Sequence, residues 1–296
     1  MGAKLRETRQ RIRTVQSTMK ITRAMELIAA SRILKAQQRV AESRPYTERL
    51  TAAIADVASA SAGLSHPLLE ERPDRDRAGV FVVTSDRGLA GAYSSSVLRR
   101  AEELFGKLRE EGKEPKVFVA GRKGLSYYRF RGRPIEESWT NFSETPRYEN
   151  AKAIAGALMQ RYGDGEIDEI HGVYTAFESP VRQRAVARRF VPMVFEETDR
   201  PAEQPATQYE FEPEPEVLLD ALLPRYVETR VFTALLEAAA AEHAARRRAM
   251  SAATENADEL IKVLTRRANQ ARQTEITTEI MEIVGGAEAL RQAAGE

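Results

Sequence analysis

The C-terminal quarter of the chain carries its longest uninterrupted helical pattern. Residues 216–289 contain one proline, Pro224, and only two glycines, Gly285 and Gly286, in a stretch rich in Ala, Glu, Arg and Leu. These residue types lose the least free energy on entering a helix. At about 1.5 Å per residue such a helix would extend roughly 100 Å, far beyond the average helix of a compact domain. The pattern therefore predicts one very long helix.

Small and apolar residues follow one another along this helix in steps of three and four. Such steps keep one stripe facing a neighbouring helix, as in a left-handed coiled coil. The predicted stripe consists of Met250, Ala253, Ala257, Leu260, Leu264, Ala268, Ala271, Thr274 or Glu275, Thr278 and Met281. Several of these residues are Ala or Thr, so the stripe buries little apolar area. At ~25 cal/mol per Å² of buried area, packing the stripe therefore stabilises the helix only weakly. The helix is therefore expected to need an enclosing surface.

A second long helix is predicted at the N-terminus, over residues 3–59. Its apolar residues recur at mostly helical spacing, at Leu5, Ile12, Val15, Met19, Met25 and Ile28. Pro45 is expected to kink this helix rather than end it. Between Lys4 and Arg49, twelve Lys or Arg residues stand against four Asp or Glu. This basic face is either a solvated surface or a site for an acidic partner, protein or nucleic acid.

The middle of the chain has a different pattern, in which strands alternate with helices. After a polar linker over residues 63–77, buried strands are predicted at 79–84, 116–120 and 169–177, an edge strand at 186–194, and helices at 94–111 and 148–162. This alternation indicates a small α/β layer with a largely parallel sheet. An acidic, proline-rich connector over residues 196–216 leads back to the long helix. The fold class is therefore α/β plus all-α, with segments at 1–62, 63–210 and 211–296.

The loop after the first strand is the place where an open sheet would bind a phosphate group. Its glycines, Gly88 and Gly91, match no nucleotide-binding fingerprint, so the signal for a nucleotide-binding protein is weak. Asp86 in this loop is a possible acid or base, but a carboxylate that caps the turn is the commoner role. The GxxG of Gly121 to Gly124 resembles the clamp of KH domains. However, it follows a strand instead of joining two helices, which argues against a KH domain. A basic coiled-coil nucleic-acid binder therefore remains a minor alternative.

Composition excludes several other classes of function. The net charge is +1, the chain contains no cysteine, and its three histidines, His66, His171 and His243, are far apart in the sequence. No disulfide framework and no metal site are therefore expected. No apolar run is long enough to span a bilayer, and no signal peptide is evident. The chain is expected to be at most peripheral to a membrane, with no catalytic, cofactor or metal residues of its own.

Three stretches together resemble one protein family. They are the N-terminal KLRETRQRIRTVQSTMKITRAMELIAASRILKAQ, the loop VTSDRGLAGAY, and the C-terminal EHAARRRAMSAATENADELIKVLTRRANQARQTEITTEIMEIVGGAEAL. In this order and at this length they closely resemble the gamma subunit of the F-type ATP synthase, in its bacterial form. The resemblance covers nearly the whole chain.

The resemblance implies an architecture and a set of partners. The N- and C-terminal helices would form a long antiparallel coiled coil, a central shaft inside a ring of three alpha and three beta subunits, with an inserted Rossmann-like α/β foot that meets epsilon and the c ring. Proton flow would turn the c ring and the shaft, which would drive each beta subunit through states of different nucleotide affinity. One copy per complex would transmit torque and regulate ATPase activity and proton flow without catalysing a reaction or needing a cofactor.

The resemblance also carries over partner contacts, for each of which plain solvation or packing is the alternative. The residues that correspond to contacts with beta are Lys20, Arg23, Met25, Arg246, Arg272, Gln273, Thr277 and Glu279. Those that correspond to contacts of the foot with the c ring or epsilon are Tyr209 and Glu212.

The chain departs from the usual family pattern at one surface, and two absent segments bear on its origin. Arg247 and Arg248 stand where relatives often carry apolar residues, so this surface is expected to be more basic than usual. The cysteine-bearing insertion of chloroplast gamma subunits and a transit peptide are both absent from the sequence. A bacterial protein on the cytoplasmic face of the inner membrane is therefore expected.

Overall fold

The computed structural model describes residues 3–60, 66, 68–69, 72, 76–193, 212 and 214–293. The helices are α1 (Ala3–Ala60), α2 (Tyr93–Glu110), α3 (Arg122–Phe130), α4 (Tyr148–Gly163) and α5 (Pro215–Ala293). The strands are β1 (Arg77–Val83), β2 (Glu114–Ala120), β3 (Glu137–Trp139), β4 (Glu169–Phe177) and β5 (Gln183–Val191).

Both predicted long helices are present as continuous elements. α1 has 58 residues and α5 has 79, and Pro45 and Pro224 lie inside them without ending either helix. The chain divides into two compact units, one formed by Met1–Ile28 with Arg247–Glu296 and the other by Ala29–Arg246. Among the described residues, no helix combines the length and the apolar character that crossing a bilayer requires.

The first unit contains only helical segments, and its buried residues on α5 correct the predicted stripe. Met250, Ala257, Leu264 and Ala268 are buried as predicted, but Leu260 is 46 % exposed and Met281 is 68 % exposed. A stripe of buried or partly buried residues instead follows alternating steps of four and three, at Met250, Thr254, Ala257, Ile261, Leu264, Ala268, Ala271 and Glu275; the predicted Ala253 is partly buried beside it, as are Ser251 and Val263. The prediction chose the apolar Leu260 where the helical period places Ile261.

The same unit contains a direct contact between the two helices. The hydroxyl oxygens of Thr22 on α1 and Thr254 on α5 lie 2.8 Å apart, and both residues are buried. Each hydroxyl is also within hydrogen-bonding distance of a carbonyl oxygen one turn earlier in its own helix, at Met19 and Met250 respectively. The pair places a polar contact between the two helices at residues that the predicted stripe did not include.

The second unit holds one mixed sheet of five strands in the order β3-β2-β1-β4-β5. The pairs β3–β2, β2–β1 and β1–β4 are parallel, and β5 pairs antiparallel with β4 at the edge. The sheet is thus largely parallel, as predicted. Sequence reasoning missed the short strand β3 and the helix α3, and it placed the edge strand three residues late.

Alternate residues of the central strands face two different helical layers. Val80 and Val82 of β1 pack with α2 and α3, in a cluster that also contains Phe105 and Tyr128. Phe81 and Val83 face the opposite side and join a larger cluster with α4 and with the segments of α1 and α5 in this unit. Burial on both faces explains why the strands are continuous apolar runs.

The GxxG sequence has a structural role at the end of β2. Gly121 adopts a φ of 98°, and its N–H donates a hydrogen bond to the carbonyl oxygen of Trp139 at 2.8 Å. The Gly124 N–H donates to the Thr84 hydroxyl at 2.9 Å. A Cβ atom at Gly121 would lie 2.1 Å from the Thr84 carbonyl oxygen. These contacts connect the end of β2 to β3 and the start of α3 to the residue after β1, so the resemblance to a KH clamp has no geometric support.

Replacing Gly121 with alanine should destabilise this unit strongly. The new methyl group would both strain a positive φ and collide with backbone, so Gly121→Ala should lower the free energy of unfolding by at least about 2 kcal/mol. Gly156 is the matched control, because it lies inside α4 and a Cβ atom added there would meet nothing within 4 Å. Gly156→Ala should stabilise the chain by ~0.5–1 kcal/mol. Urea unfolding followed by circular dichroism measures both, and equal midpoints for the two variants would contradict the assignment.

Candidate functional site at the junction of the long helices and the sheet

Two loops of the second unit meet at the carboxyl ends of the parallel strands. The loop after β1 carries Asp86, and the loop before α4 carries Ser143. The Asp86 carboxylate accepts the N–H groups of Ser143 at 3.0 Å and Arg122 at 3.1 Å, and the Ser143 hydroxyl accepts the Asp86 N–H at 2.9 Å. Because its carboxylate already binds two backbone donors, Asp86 fastens three chain segments together. This agrees with the structural role that the sequence favoured over acid–base chemistry.

The carboxylate of Glu144 is the centre of the junction. Its Oε1 atom lies 3.3 Å from an Arg246 nitrogen on α5, and its Oε2 atom forms an ion pair with Arg32 on α1. Oε2 also lies 4.0 Å from a nitrogen of Arg87 in the loop after β1. Three guanidinium groups from three elements therefore converge on one carboxylate, whose side chain is 16 % exposed.

Arg246 connects this centre to the interior of α5. Its Nη2 atom donates a hydrogen bond to Glu242, one turn earlier, at 2.6 Å, and another to the carbonyl oxygen of Gly88 at 3.3 Å. The Arg246 and Glu242 side chains are 7 % and 1 % exposed. Burial costs such an ion pair much of its hydration, so removing either partner leaves an uncompensated charge. The pair orients the Arg246 guanidinium, whose hydrogen bond to the Gly88 carbonyl oxygen ties α5 to the loop after β1.

Two neighbouring groups have protonation states that follow from their surroundings. Burial raises the pKa of Glu242, and the adjacent Arg246 opposes that rise. Burial lowers the pKa of His243, although its hydrogen bond to the Glu144 carbonyl oxygen works in the other direction. Because a carbonyl oxygen only accepts, the His243 Nε2 atom, 3.0 Å away, must carry the proton. His243 thus acts as a neutral donor that holds the loop before α4.

Apolar contacts surround these polar ones. Tyr93 and Ala90 pack with the described parts of both long helices and with Phe177 at the end of β4. The remaining members of this cluster are Ile33, Ala36, Val40, Leu236, Ala240, Ala241 and Ala244. The arrangement joins α1, α5 and the sheet through packing and ion pairs. It is suited to transmitting force between them. Among the described residues, no group of side chains is arranged to hold a metal ion.

The predicted site residues lie in several places. Arg246 is at the junction, while Lys20 and Arg23 are exposed on α1 and Met25 is partly buried there. The exposed set on α5 consists of Arg272, Gln273, Thr277 and Glu279. Glu212 is exposed, and Tyr209 lies outside the described residues. That these residues contact other subunits remains a prediction.

Sequence reasoning missed four residues of the junction, Glu242, Glu144, Arg32 and Arg87. Glu242 had a usable signal, because it precedes Arg246 by four residues on a helix, the spacing at which opposite charges meet. Glu144 and Arg32 had none, since 112 residues separate them in the sequence. Only the fold brings them together.

Comparison with known proteins gives the family. A sequence model described as ATP synthase matches residues 4–290. The ATP synthase gamma chain of Parafrankia sp. (strain EAN1pec) is 58 % identical over 99 % of this chain and 100 % of the relative. The chain belongs to the ATP synthase gamma chain family. The gamma chain of Frankia casuarinae is likewise 58 % identical, over 98 % of this chain and 99 % of its own length.

Solved structures show the same fold. A chain from the rotor of the Euglena gracilis mitochondrial ATP synthase aligns with a TM-score of 0.64 at 15 % identity, over 93 % of this chain and 100 % of that one. A chain from the central stalk and c ring of the Tetrahymena thermophila enzyme aligns with a TM-score of 0.57 at 22 % identity, over 79 % and 99 %. With the family established, the role of this gamma-family chain is that of a central-stalk rotor subunit. Neither the nucleotide-binding enzyme nor the nucleic-acid binder is favoured.

Neutralising Glu144 should weaken the junction. Glu144→Gln keeps the shape of the side chain but removes the charge opposite Arg32, Arg87 and Arg246, so the free energy of unfolding should fall by about 2 kcal/mol. Glu149→Gln is the control, because Glu149 is exposed in the first turn of α4 and should lose no more than ~1 kcal/mol. Urea midpoints compare the two, and a Glu144 variant as stable as the control would show that the convergence of charges contributes little.

Proposed function

We propose that this chain transmits torque between a proton-driven c ring and the catalytic alpha and beta subunits of an ATP synthase. The observation that carries the proposal is the uncovered end of α5. From residue 276 onward, every residue with a described side chain is exposed. The large apolar residues among them are Ile276, Ile280, Met281, Ile283, Val284 and Leu290, with exposures of 44–73 %. Apolar side chains in such numbers favour a surrounding protein surface, as a shaft enclosed by a ring of subunits would have.

The segments of α1 and α5 in the first unit would form an antiparallel coiled coil. Thr22 contacts Thr254. Leu5 lies 17 residues before Thr22, and Ala271 lies 17 residues after Thr254. In an antiparallel pair Leu5 would face Ala271, which fits the burial of Leu5 and the loss of burial on α5 soon after Ala268. The alternating steps of four and three are the spacing of a left-handed coiled coil.

The junction would pass torque from the foot to the helices. α1 and α5 each run unbroken through both units, so a force on either helix in the second unit acts on a single covalent helix. Ion pairs from Glu144 to Arg32 and to Arg246 hold both helices to the loop before α4; Glu144 and Arg246 are largely buried, and Arg32 is partly exposed. Breaking them costs more than breaking exposed pairs, which contribute ~0–1 kcal/mol. The sheet would therefore turn with the helices rather than slip against them.

The contacts with beta would come from exposed polar residues of both helices. Lys20 and Arg23 on α1, and the set Arg272, Gln273, Thr277 and Glu279 on α5, are available for hydrogen bonds that break and re-form as the shaft turns. Each such bond contributes roughly 1–3 kcal/mol. Met25 would add packing. Arg246 would act mainly through the junction, since its guanidinium already contacts Glu144, Glu242 and Gly88.

The remaining partners and the location follow from the same role. The foot would meet epsilon and the c ring near Tyr209 and Glu212, with one copy of the chain per complex. ATP would be made on beta, so this subunit would be non-catalytic and would need no cofactor. In a bacterium the complex would place the chain on the cytoplasmic face of the plasma membrane, as a peripheral subunit.

The α/β layer would serve as a scaffold rather than as a nucleotide site. Its strand order and its loop after β1 resemble half of a Rossmann fold. However, that loop is filled by contacts within the chain, because Asp86 binds two backbone N–H groups and the Gly88 carbonyl oxygen accepts from Arg246. The foot is thus Rossmann-like in form, with its phosphate position occupied by structural bonds.

Reversing the charge of Arg272 should weaken coupling without unfolding the chain. Arg272 is exposed, so Arg272→Glu should leave the helical content unchanged while repelling an acidic group on beta. In inverted membrane vesicles, we expect ATP-driven proton pumping per ATP hydrolysed to fall at least about twofold, the equivalent of losing one weak hydrogen bond. Lys152→Glu, an exposed charge reversal on α4, should leave the ratio unchanged. An unaltered ratio in the Arg272 variant would remove that residue from the proposed contact.

The isolated chain should hydrolyse no ATP. Co-expressed with alpha and beta, it should purify as one copy with three of each, and the complex should be an ATPase. Native mass spectrometry measures the composition and a phosphate-release assay measures the activity. Hydrolysis by the chain alone, or a chain recovered free of alpha and beta, would contradict a rotor role.

A further inference from the structure

A polar cavity of about 480 Å³ lies in the Ala29–Arg246 unit, between α1, α5 and the β4–β5 strand pair. The two long helices and β5 each contribute one basic side chain to it: Arg44 from α1, Arg188 from β5 and Arg230 from α5. The volume is within the range of ~300–1,000 Å³ that is typical of small-molecule sites. No residue that lines the cavity belongs to the ion-pair network around Glu144.

Arg230 is held by aromatic stacking, whereas Arg44 and Arg188 are exposed at the rim, and within the described part of the chain none of the three forms a direct ion pair. Among the described residues, no carboxylate oxygen lies within 4.0 Å, the distance of an ion pair, of any of the three guanidinium groups. Arg230 lies over the rings of Phe190 and Tyr226, with 5.8 and 5.7 Å from its guanidinium carbon to the ring centroids. Such stacking fixes the orientation of a guanidinium group without cancelling its charge. Cations gathered in this way repel one another, and an anion between them would relieve that repulsion.

Tyr174 adds a neutral donor at the wall of the same cavity. The residue is 3 % exposed, and its hydroxyl has no hydrogen-bond partner among the described residues. Burial, with the nearby Glu237 as a smaller cause, raises the pKa of Tyr174 to about 12. The hydroxyl therefore keeps its proton at neutral pH. The hydroxyl oxygen is not fully buried, so it reaches the cavity and can donate to a ligand there.

The other polar groups of the cavity do not supply an acceptor for this hydroxyl. Glu237 accepts the Phe177 N–H at 3.2 Å; burial raises its pKa, while that hydrogen bond and the charges of the three arginines oppose the rise, so this carboxylate offsets part of their charge. Glu48 is exposed on α1. Thr47 and Thr51 donate their hydroxyl protons to carbonyl oxygens of their own helix, at 3.1 and 2.8 Å. Three guanidinium groups thus face two carboxylates, and the free donors all come from the arginines and the tyrosine.

We propose that this cavity binds a small phosphate-bearing anion. The guanidinium groups of Arg44, Arg188 and Arg230 present paired N–H donors, which match the oxygens of a phosphate group two at a time. The Tyr174 hydroxyl donates to a further oxygen. Such a ligand would cross-link α1, α5 and β5, so its binding would stiffen the attachment of the long helices to the edge of the sheet.

The test measures binding of inorganic phosphate to the full chain. Equilibrium dialysis with radiolabelled phosphate, at an ionic strength held constant with chloride, should give saturable binding of one phosphate per chain. Arg188→Gln and Arg230→Gln should each weaken binding about tenfold, since each removes a charge-assisted pair of hydrogen bonds. Tyr174→Phe removes only one neutral donor and should weaken binding about threefold.

The control is Arg184→Gln. Arg184 lies on the same face of β5 as Arg188, is exposed, and does not line the cavity, so binding should stay within about twofold of the unmodified chain. Circular dichroism checks that each variant is folded, and the exposed Arg44→Gln replaces any variant that is not. Absence of saturable binding, or an equal loss in the Arg184 control, would overturn the proposal. Succinate that displaces phosphate at lower concentration than pyrophosphate does would also overturn it, by showing a carboxylate site.

Discussion

The structure depends on the pairing of its two long helices, α1 and α5. Neither helix could gain the same stability alone. A helix gains little from propensity alone, because most helical stability in proteins comes from packing one face. On α1, residues with buried or partly buried side chains recur in alternating steps of three and four from Leu5 to Val57. On α5 the same alternation runs from Met250 to Glu275. Many of these positions hold Ala, Thr or Ser, so each turn contributes little, and the length of the stripe has to supply the stability.

Charge is distributed in a way that fits two different mechanical demands. At the junction, Glu144, Glu242 and Arg246 are largely withdrawn from water, where a lost partner is expensive and the contact is correspondingly firm. On the outer surface of both long helices, basic residues such as Arg23 and Arg272 remain solvated, where each contact is weak and reversible. In the proposed rotor role, an attachment that must not slip and a surface that would slide against beta use the same residue types at different depths of burial.

Periodicity makes the long helices and most of the sheet predictable. The helical pattern over residues 3–59 corresponds to Ala3–Ala60 in the structure, and the strand predicted over 169–177 coincides with β4. The short strand β3 and helix α3 carry too few residues for a period to stand out, and α3 begins at glycines that suggest a loop. Leu260 is misplaced in the prediction because hydrophobicity and period disagree there, and the period decides. The junction is beyond such reasoning, since only the fold brings Glu144 to α1 and α5.

The thin stripe of small residues also limits where the two helices could be stabilised further. Enlarging Ala257 or Ala268 would separate the helices rather than strengthen them, because interiors are packed too closely to accept extra methylene groups without strain. Stability can instead be added at the ends, where α1 and α5 meet a sheet or an enclosing partner. The unit that contains the sheet uses ion pairs, aromatic rings and a broad apolar cluster for this purpose. The uncovered end of α5 has no such cluster among the described residues, and its exposed isoleucines at 276, 280 and 283 would gain that contribution from the subunits that we propose surround it. A helix enclosed in this way would be well suited to sense, and to impose, asymmetry in the proteins around it.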